Sequence, residues 1–317
     1  MNIRDLLLDI KSPQAPVISE VVKALGILDT AQVGFSSDFL RHEYEVLKED
    51  GEAAIRSVNG SIVSTMENTI MASVQLPSIQ RLVTIDQIIK MKYGSLEAFL
   101  DSKSRTATYI RSIMQKLAQA VIYGDDPTFG VSGAFKGLRQ IAKANGQLIG
   151  SLNGSSGSCT SIIAVHWAEN ETQIVIPEQE NGNLVQMELV GGGTLQAPTA
   201  DTTTGAKNLN YSVSFWTNAA LQCGSKYSVA AIKRITPSTP PTAGLIDELI
   251  DAVKGMADGR TFLYMNRLGR RLVKQLKNSK MEITPSDTDY NTVVASWDNI
   301  PIVLDEMIVS TETTDLD

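Results

Sequence analysis

Two adjacent carboxylates, Asp125 and Asp126, stand in the stretch YGDDPTFGVSGAFKGL at residues 123–138. Gly130, Gly133 and Gly137 follow them, with Lys136 among the glycines. Carboxylates beside a glycine-rich loop are the residue types that hold Mg²⁺ or Ca²⁺, or cradle a phosphate. The spacing argues against the phosphate. A P-loop needs GxxxxGK[ST], whereas Lys136 precedes its glycine, and the Gly191-Gly192-Gly193-Thr194 run has no lysine. The dinucleotide pattern GxGxxG is absent from both. A metal site is poorly supported too, because two neighbouring carboxylates repel and no DxDxDG loop surrounds them. Gly124 suits the residue just past a helix and Pro127 forbids its continuation. A helix stop is the stronger reading.

The other residues that could do chemistry are sparse. The two histidines are His42, in a charged stretch, and His166, in an apolar one. A serine hydrolase would need one of them to meet a serine and a carboxylate, and neither sits near a GxSxG elbow. Cys159 and Cys223 form no CxxC pair, so a structural zinc site has no support, and two thiols in a chain this long fit a reducing compartment. No catalytic, cofactor or metal set emerges. One basic arc does: Arg267, Arg270, Arg271 and Lys274 share a face of a predicted helix over 264–278, opposite Met265, Leu268, Leu272 and Leu276. It is either a solvated face or a contact for phosphates or an acidic neighbour. Asp247, Glu248 and Asp251 on the preceding helix are candidate acidic partners.

These residues are carried by a chain of 317 residues with 43% hydrophobic and 20% charged content, a globular composition. The formal net charge of −7 opposes a strong non-specific grip on nucleic acid. The opening MNIRDLLLDIKSPQ does not read as a signal peptide, and no run of about 20 apolar residues would span a membrane. The expectation is a soluble protein made in a cytoplasm.

Along the chain, residues 1–50 read as a partly helical, partly extended arm with little core of its own. Residues 53–82 lean to β, with Asn59-Gly60 as a hairpin signal and few large apolar residues behind it. The longest helical signal runs over 95–123. Ser95 is its candidate N-cap, and Phe99, Ala107, Ile110, Met114, Leu117, Val121 and Ile122 form its apolar stripe. As one rod it would measure roughly 40 Å. Strand patterns fill 160–236, TPSTPPTAG at 236–244 is a linker, helices are predicted at 245–257 and 264–278, and IPIVLDEMIVS ends as a strand. The fold class is α+β, without repeated βαβ units.

Several of these stretches, in this order, resemble the major capsid proteins of tailed bacteriophages, the HK-ninety-seven-type coat fold, in a podophage-like branch. They are VISEVVKALGILD at 17–29, RSVNG at 56–60, QKLAQAVIYGDD to AFKGL at 115–138, SIIAVHWAENETQIVIPE at 161–178 with LVQMELVG after it, TFLYMNRLGRRLV at 261–273, and WDNIPIVLDEMIVSTET at 297–313. The resemblance covers nearly the whole chain. In place of the basic or proline-rich strings often flanking the hairpin in that branch, this chain has NGSIVSTMEN.

The resemblance implies an N-terminal arm (1–50), an extended β-hairpin loop (51–82) and a peripheral domain with the spine helix (83–160). A mainly axial domain (161–300) and a C-terminal strand and tail (301–317) complete it. It implies a coat protein that self-assembles as pentamers and hexamers into an icosahedral shell enclosing double-stranded DNA, without sequence-specific recognition. Scaffold, portal and decoration proteins are the implied partners, and the virion capsid, assembled in the host cytoplasm, is the implied location. No cofactor and no catalytic step are expected. Candidate intersubunit contacts are Arg56, Asn59, Glu67, Asp125, Asp126, Arg267, Arg270, Arg271 and Lys274. Two alternatives stay open: an encapsulin-like nanocompartment shell holding cargo, and a soluble hydrolase using His166.

Overall fold

The structure, a computed structural model, describes residues 25–49, 68–101, 105–151, 158–178, 185–190, 199–200, 207–208, 210–253, 258–276, 281–285 and 293–312. In chain order the first elements are α1 (Gly26–Thr30), β1 (Val33–Ser36), β2 (Arg41–Glu49), β3 (Asn68–Gln75), β4 (Ser78–Asp86), α2 (Gln87–Tyr93), α3 (Leu96–Asp101), α4 (Arg105–Tyr123) and α5 (Leu138–Ala144). A β-rich stretch follows: β5 (Leu148–Ser151), β6 (Thr160–Ala168), β7 (Thr172–Pro177), β8 (Gln186–Leu189), β9 (Thr199–Ala200), β10 (Lys207–Asn208), β11 (Asn210–Asn218), β12 (Ala220–Cys223) and β13 (Val229–Ile235). The last are α6 (Ala243–Ala252), β14 (Gly259–Met265), α7 (Arg267–Gln275), β15 (Met281–Pro285), β16 (Val293–Trp297) and β17 (Ile300–Leu304).

The predicted strands over 160–236 are present, and β6 explains the architecture. Every residue of TSIIAVHWA is buried. A strand buried on both faces must lie in the middle of a covered sheet. It does: the sheet order is β15-β16-β17-β14-β6-β13-β5. Side chains alternate across it. Ile163, Val165 and Trp167 join the core that contains α4, while Ile162 and Ala164 join a second core with Ile246 and Leu249 of α6 and Leu272 and Val273 of α7. The segment over 236–244, expected as a linker, is a tight turn. Thr236 and Thr239 bond through both backbones, and Thr242 caps α6 by accepting from the Leu245 N–H at 3.2 Å. It returns the chain to the same sheet instead of leading to a new domain.

Two expectations shift, and a third meets undescribed residues. The helix predicted over 95–123 is described as α3 and α4, with residues 102–104 between them outside the described residues. Ser95 does cap α3, accepting from the Ala98 N–H at 3.0 Å. At about 1.5 Å per residue, α4 alone runs roughly 28 Å. Its last two turns are buried on most sides, by Leu117, Ala118, Ala120, Val121, Ile122 and Tyr123. The second predicted helix starts later than expected, because Tyr264 and Met265 belong to β14 and Asn266 caps α7, accepting from the Gly269 N–H at 2.8 Å. The final strand ends at Leu304, followed by turns.

The N-terminal third is built differently. β4 pairs with β11, and β11 with β8, in a sheet whose inner residues Val213 and Phe215 pack on α4. Arg81 lies over the Tyr109 ring and donates to Ser112 Oγ. β2 and β3 form a separate two-stranded antiparallel ribbon. Residues 50–67 between them lie outside the described residues, including Arg56, Asn59, Glu67 and the predicted Asn59-Gly60 turn. Arg41–Glu49 is thus one strand of the ribbon, and Ser78–Asp86 pairs along its whole length with β11.

Asp305 ties the front of the described chain to its end. Its Oδ2 accepts from the Ile27 N–H and its Oδ1 from the Met307 N–H, both at 2.8 Å. Replacing Asp305 with alanine leaves two buried donors unpaired, which is expected to cost ~2 kcal/mol. Urea unfolding should show the loss, and hydrogen exchange at Ile27 should accelerate more than exchange in β6.

Candidate functional site

The 123–138 stretch is a turn held by its own carboxylates. Gly124 has φ of +66° and closes α4 by donating to the Ala120 carbonyl at 2.8 Å. Asp126 Oδ1 accepts from the N–H groups of Thr128 at 2.8 Å and Phe129 at 2.9 Å. Asp125 Oδ1 accepts from Gln140 Nε2 at 2.8 Å. Both aspartates are therefore engaged in shaping the turn, and among the described residues no group of three or more His, Cys, Asp or Glu side chains is placed to hold a metal ion. Gly137 is needed for close approach: a Cβ there would run into the backbone of Tyr123 and Gly124. Phe135 and Leu138 are buried and anchor the chain after the turn.

The same stretch supplies a buried polar lock that sequence reasoning missed. Tyr123 donates to Glu312 Oε1 at 2.8 Å, and Ser161 Oγ donates to the same oxygen at 2.7 Å. Arg139 Nη1 lies 3.1 Å from it, and the guanidinium also sits over the Tyr123 ring. The Tyr123 oxygen in turn accepts from the Val309 N–H at 3.0 Å. Backbone bonds between Cys159 and Glu312 complete the join. Four elements of distant sequence, α4, α5, β6 and the C-terminal segment, meet at one carboxylate. Burial pushes the Glu312 carboxyl above its ordinary 4.5, opposed by Arg139 and by the Ser161 and Tyr123 bonds. Burial, together with the Glu312 charge, also pushes the Tyr123 phenol well up. The signal was present in the motif residues YGD and TE, but nothing in their spacing tells that they touch.

Other predicted residues fall apart or into plain roles. His42 bonds Gln222 Oε1 through Nε2 at 3.0 Å and stacks on Tyr44, while buried His166 meets Thr261 Oγ1 through Nδ1 at 3.0 Å. Arg267 pairs with Glu306 at 2.5 Å, and Asp247 Oδ1 accepts from Trp297 Nε1 at 2.9 Å. Arg271 and Lys274 are exposed, whereas Arg270 is half-buried.

The surface that stands out is apolar. Among the described residues, the exposed large hydrophobic side chains are Phe35, Phe39, Leu40, Ile70, Met71, Leu82, Ile88, Ile89 and Met91, all before residue 92, plus Met187. On the ribbon, His42, Tyr44, Val46, Val74, Ala72 and Ile70 share one face by register, and this face is rooted on β12 through His42 and Gln222. Further out, body contact runs out and Ile70 is exposed. The opposite face carries Arg41, Glu43, Glu45, Ser73 and Met71, with Met71 68% exposed. On α2, Ile88 is 75% and Met91 72% exposed. Apart from Met187, these exposed side chains fall on the ribbon, on β4, on α2 and around Phe35–Leu40.

The model of the family Major capsid protein GP7 matches residues 11–314. The chain belongs to this major capsid protein family. Among solved structures, that of bacteriophage epsilon15 is similar, with a TM-score of 0.55 and 17% identity over 90% of this chain and 88% of that one. The bacteriophage JBD30 capsid gives a TM-score of 0.49 with 10% identity over 89% and 90% of the two chains. An encapsulin complex from Synechococcus elongatus gives 0.45 with 8% identity over 65% and 85%. Only the first is close enough to speak to the fold, which is that of a phage coat protein. Comparison with curated proteins returns no match. The major capsid reading is favoured over the nanocompartment one.

Two predictions concern the lock. Glu312→Ala leaves Arg139 as a buried charge without its partner and should cost about 3–5 kcal/mol, while Glu312→Gln, which keeps an acceptor for Tyr123 and Ser161, should cost distinctly less. The sign of the pH effect follows from the raised carboxyl. Above 4.5 the unfolded chain ionises before the folded one, so the stability contributed by this site falls as pH rises through that window. Denaturant midpoints measured across pH 4–7 should show this slope flattened in Glu312→Gln. Separately, Gly137→Ala forces the turn off Gly124 and should lower stability by ~2 kcal/mol by the same measurement.

Proposed function

We propose that this major capsid protein assembles with copies of itself, as pentamers and hexamers, into an icosahedral shell around double-stranded DNA. The observation that carries the reading is the ribbon, whose apolar face continues past its own body to Ile70, with Met71 exposed behind it. A two-stranded ribbon is marginal in water alone, so it gains its stability by lying on another surface. Residues 51–82 and the paired strand before them act as the extended loop over a neighbouring subunit. Residues 1–50 otherwise serve as an arm, 83–160 as a peripheral domain, 161–300 as a mainly axial domain, and 301–317 as strand and tail. The mechanism is assembly, with no bond-breaking step, since ordering of the extended parts is coupled to burial between subunits.

Arg271 and Lys274, exposed on α7, and Arg267 with its partner Glu306 are intersubunit candidates at the axial end, as are Arg56, Asn59 and Glu67 on the loop. Asp125 and Asp126 keep only what their turn leaves free. An acidic chain encloses DNA without clinging to it, which suits filling and emptying of the shell. Scaffold, portal and decoration proteins are its further partners, the virion is its place of action, and the host cytoplasm its place of assembly.

The test separates assembly from folding. The double substitution Ile70→Asp/Met71→Asp lies at exposed positions and should leave the unfolding midpoint within ~0.5 kcal/mol of the parent. Sedimentation should show closed particles replaced by free subunits or capsomers. Particles forming at parental yield would contradict the role given to the ribbon.

A further inference from the structure

Two helices cover one face of the seven-stranded sheet. α6 packs against β13 and β5, and α7 against β6 and β14. Ile246 and Leu249 of α6 and Leu272 and Val273 of α7 enter the same core. With about 3.6 residues per turn, each helix keeps its other side for water. On α6 that side carries Glu248 and Asp251, and on α7 it carries Arg271 and Lys274, all exposed. The members of each pair are three apart in sequence, so like charges stand as neighbours on each helix and repel.

These charges are not matched within the chain. Arg267 has Glu306 and Asp247 accepts from Trp297, but among the described residues Glu248, Asp251, Arg271 and Lys274 are in no ion pair. One face of the subunit therefore presents a negative stripe beside a positive one, and such a face is complementary to a second copy of itself. The net charge of −7 gives copies a general repulsion, so attraction between them has to be local. Opposite stripes supply it, and because like stripes repel when misaligned they also fix the register. A contact between two different patches of one chain is head-to-tail, and repeated by a rotation that closes, it makes a ring.

We propose that Glu248 and Asp251 of one copy pair with Arg271 and Lys274 of a second copy, in the head-to-tail contact that closes a capsomer. This pairing presupposes the shell reading and names, within it, the surface that sets the register between neighbours. It is separate from the ribbon, whose exposed residues are apolar.

Charge reversal tests it on the full chain, with any scaffold the chain requires. Two variants, Glu248→Lys/Asp251→Lys and Arg271→Glu/Lys274→Glu, change exposed positions only and should keep the parental unfolding midpoint. Each alone should lose capsomers at least roughly tenfold at low ionic strength, read by native mass spectrometry. Mixed, they should recover hexamers holding equal numbers of the two variants, since each now offers the stripe that the other lacks. A chain with all four reversals should recover as well. Rescue by the four reversals in one chain but not by the mixture would place the pairing inside a subunit and overturn the proposal. Parental yields from either variant alone, or no rescue in any combination, would overturn it too. A parent chain that forms no capsomers would instead sink the shell reading itself, so the two failures are told apart.

Discussion

The structure turns on one buried carboxylate. A charge removed from water is costly, and it persists only where partners converge on it. Glu312 collects a phenol from the end of α4, a guanidinium from α5 and a hydroxyl from β6 on a single oxygen. Because these donors come from elements far apart in sequence, the carboxylate fixes their mutual positions in a way that apolar packing alone does not. Apolar packing tolerates sliding, whereas a three-donor site has one good geometry. The C-terminal segment that delivers Glu312 also delivers Asp305, which receives the backbone of Ile27. The lock at one end thereby anchors the start of the described chain as well.

With these joints made, the body closes on itself on both faces of the seven-stranded sheet. What remains uncovered is concentrated before residue 92, on the ribbon, on α2 and around Phe35–Leu40. Apolar surface left in water forgoes roughly 25 cal/mol per Å². A chain that holds its core tightly and its N-terminal third open is built to recover that energy from another molecule. The division suits the assembly proposed for this coat subunit, in which the ribbon lies over a neighbour.

Much of this organisation was legible in the residues. The largely apolar stretch at 160–168 marked a strand, and Ser95, Gly124 and Pro127 marked helix ends with identifiable chemistry. The stretch YGDDPTFGVSGAFKGL was correctly read as a turn, because phosphate and metal sites have spacing rules that it breaks. Its chemistry was nevertheless underestimated. Tyr123 and Glu312 meet across a separation of 189 residues, and no periodicity reports a contact of that range. Arg139 carries no mark of its burial in the sequence, which cannot tell a charged side chain in solvent from one paired inside. The helix start at 264 was drawn too early for a related reason. Apolar spacing carried the helical reading to Tyr264 and Met265, which tertiary pairing with β6 and β17 holds as strand.

The central claim is that the locked body is complete in itself while the ribbon needs a neighbour. A cryo-electron microscopy reconstruction of particles assembled from the full chain, with any required scaffold, addresses it most directly. The account predicts closed shells in which each ribbon lies over the adjacent subunit, Ile70 and Met71 are covered there, and the Tyr123–Glu312 contact is intact in every subunit. Ribbons folded back onto their own bodies, or only small oligomers under all assembly conditions, would contradict it.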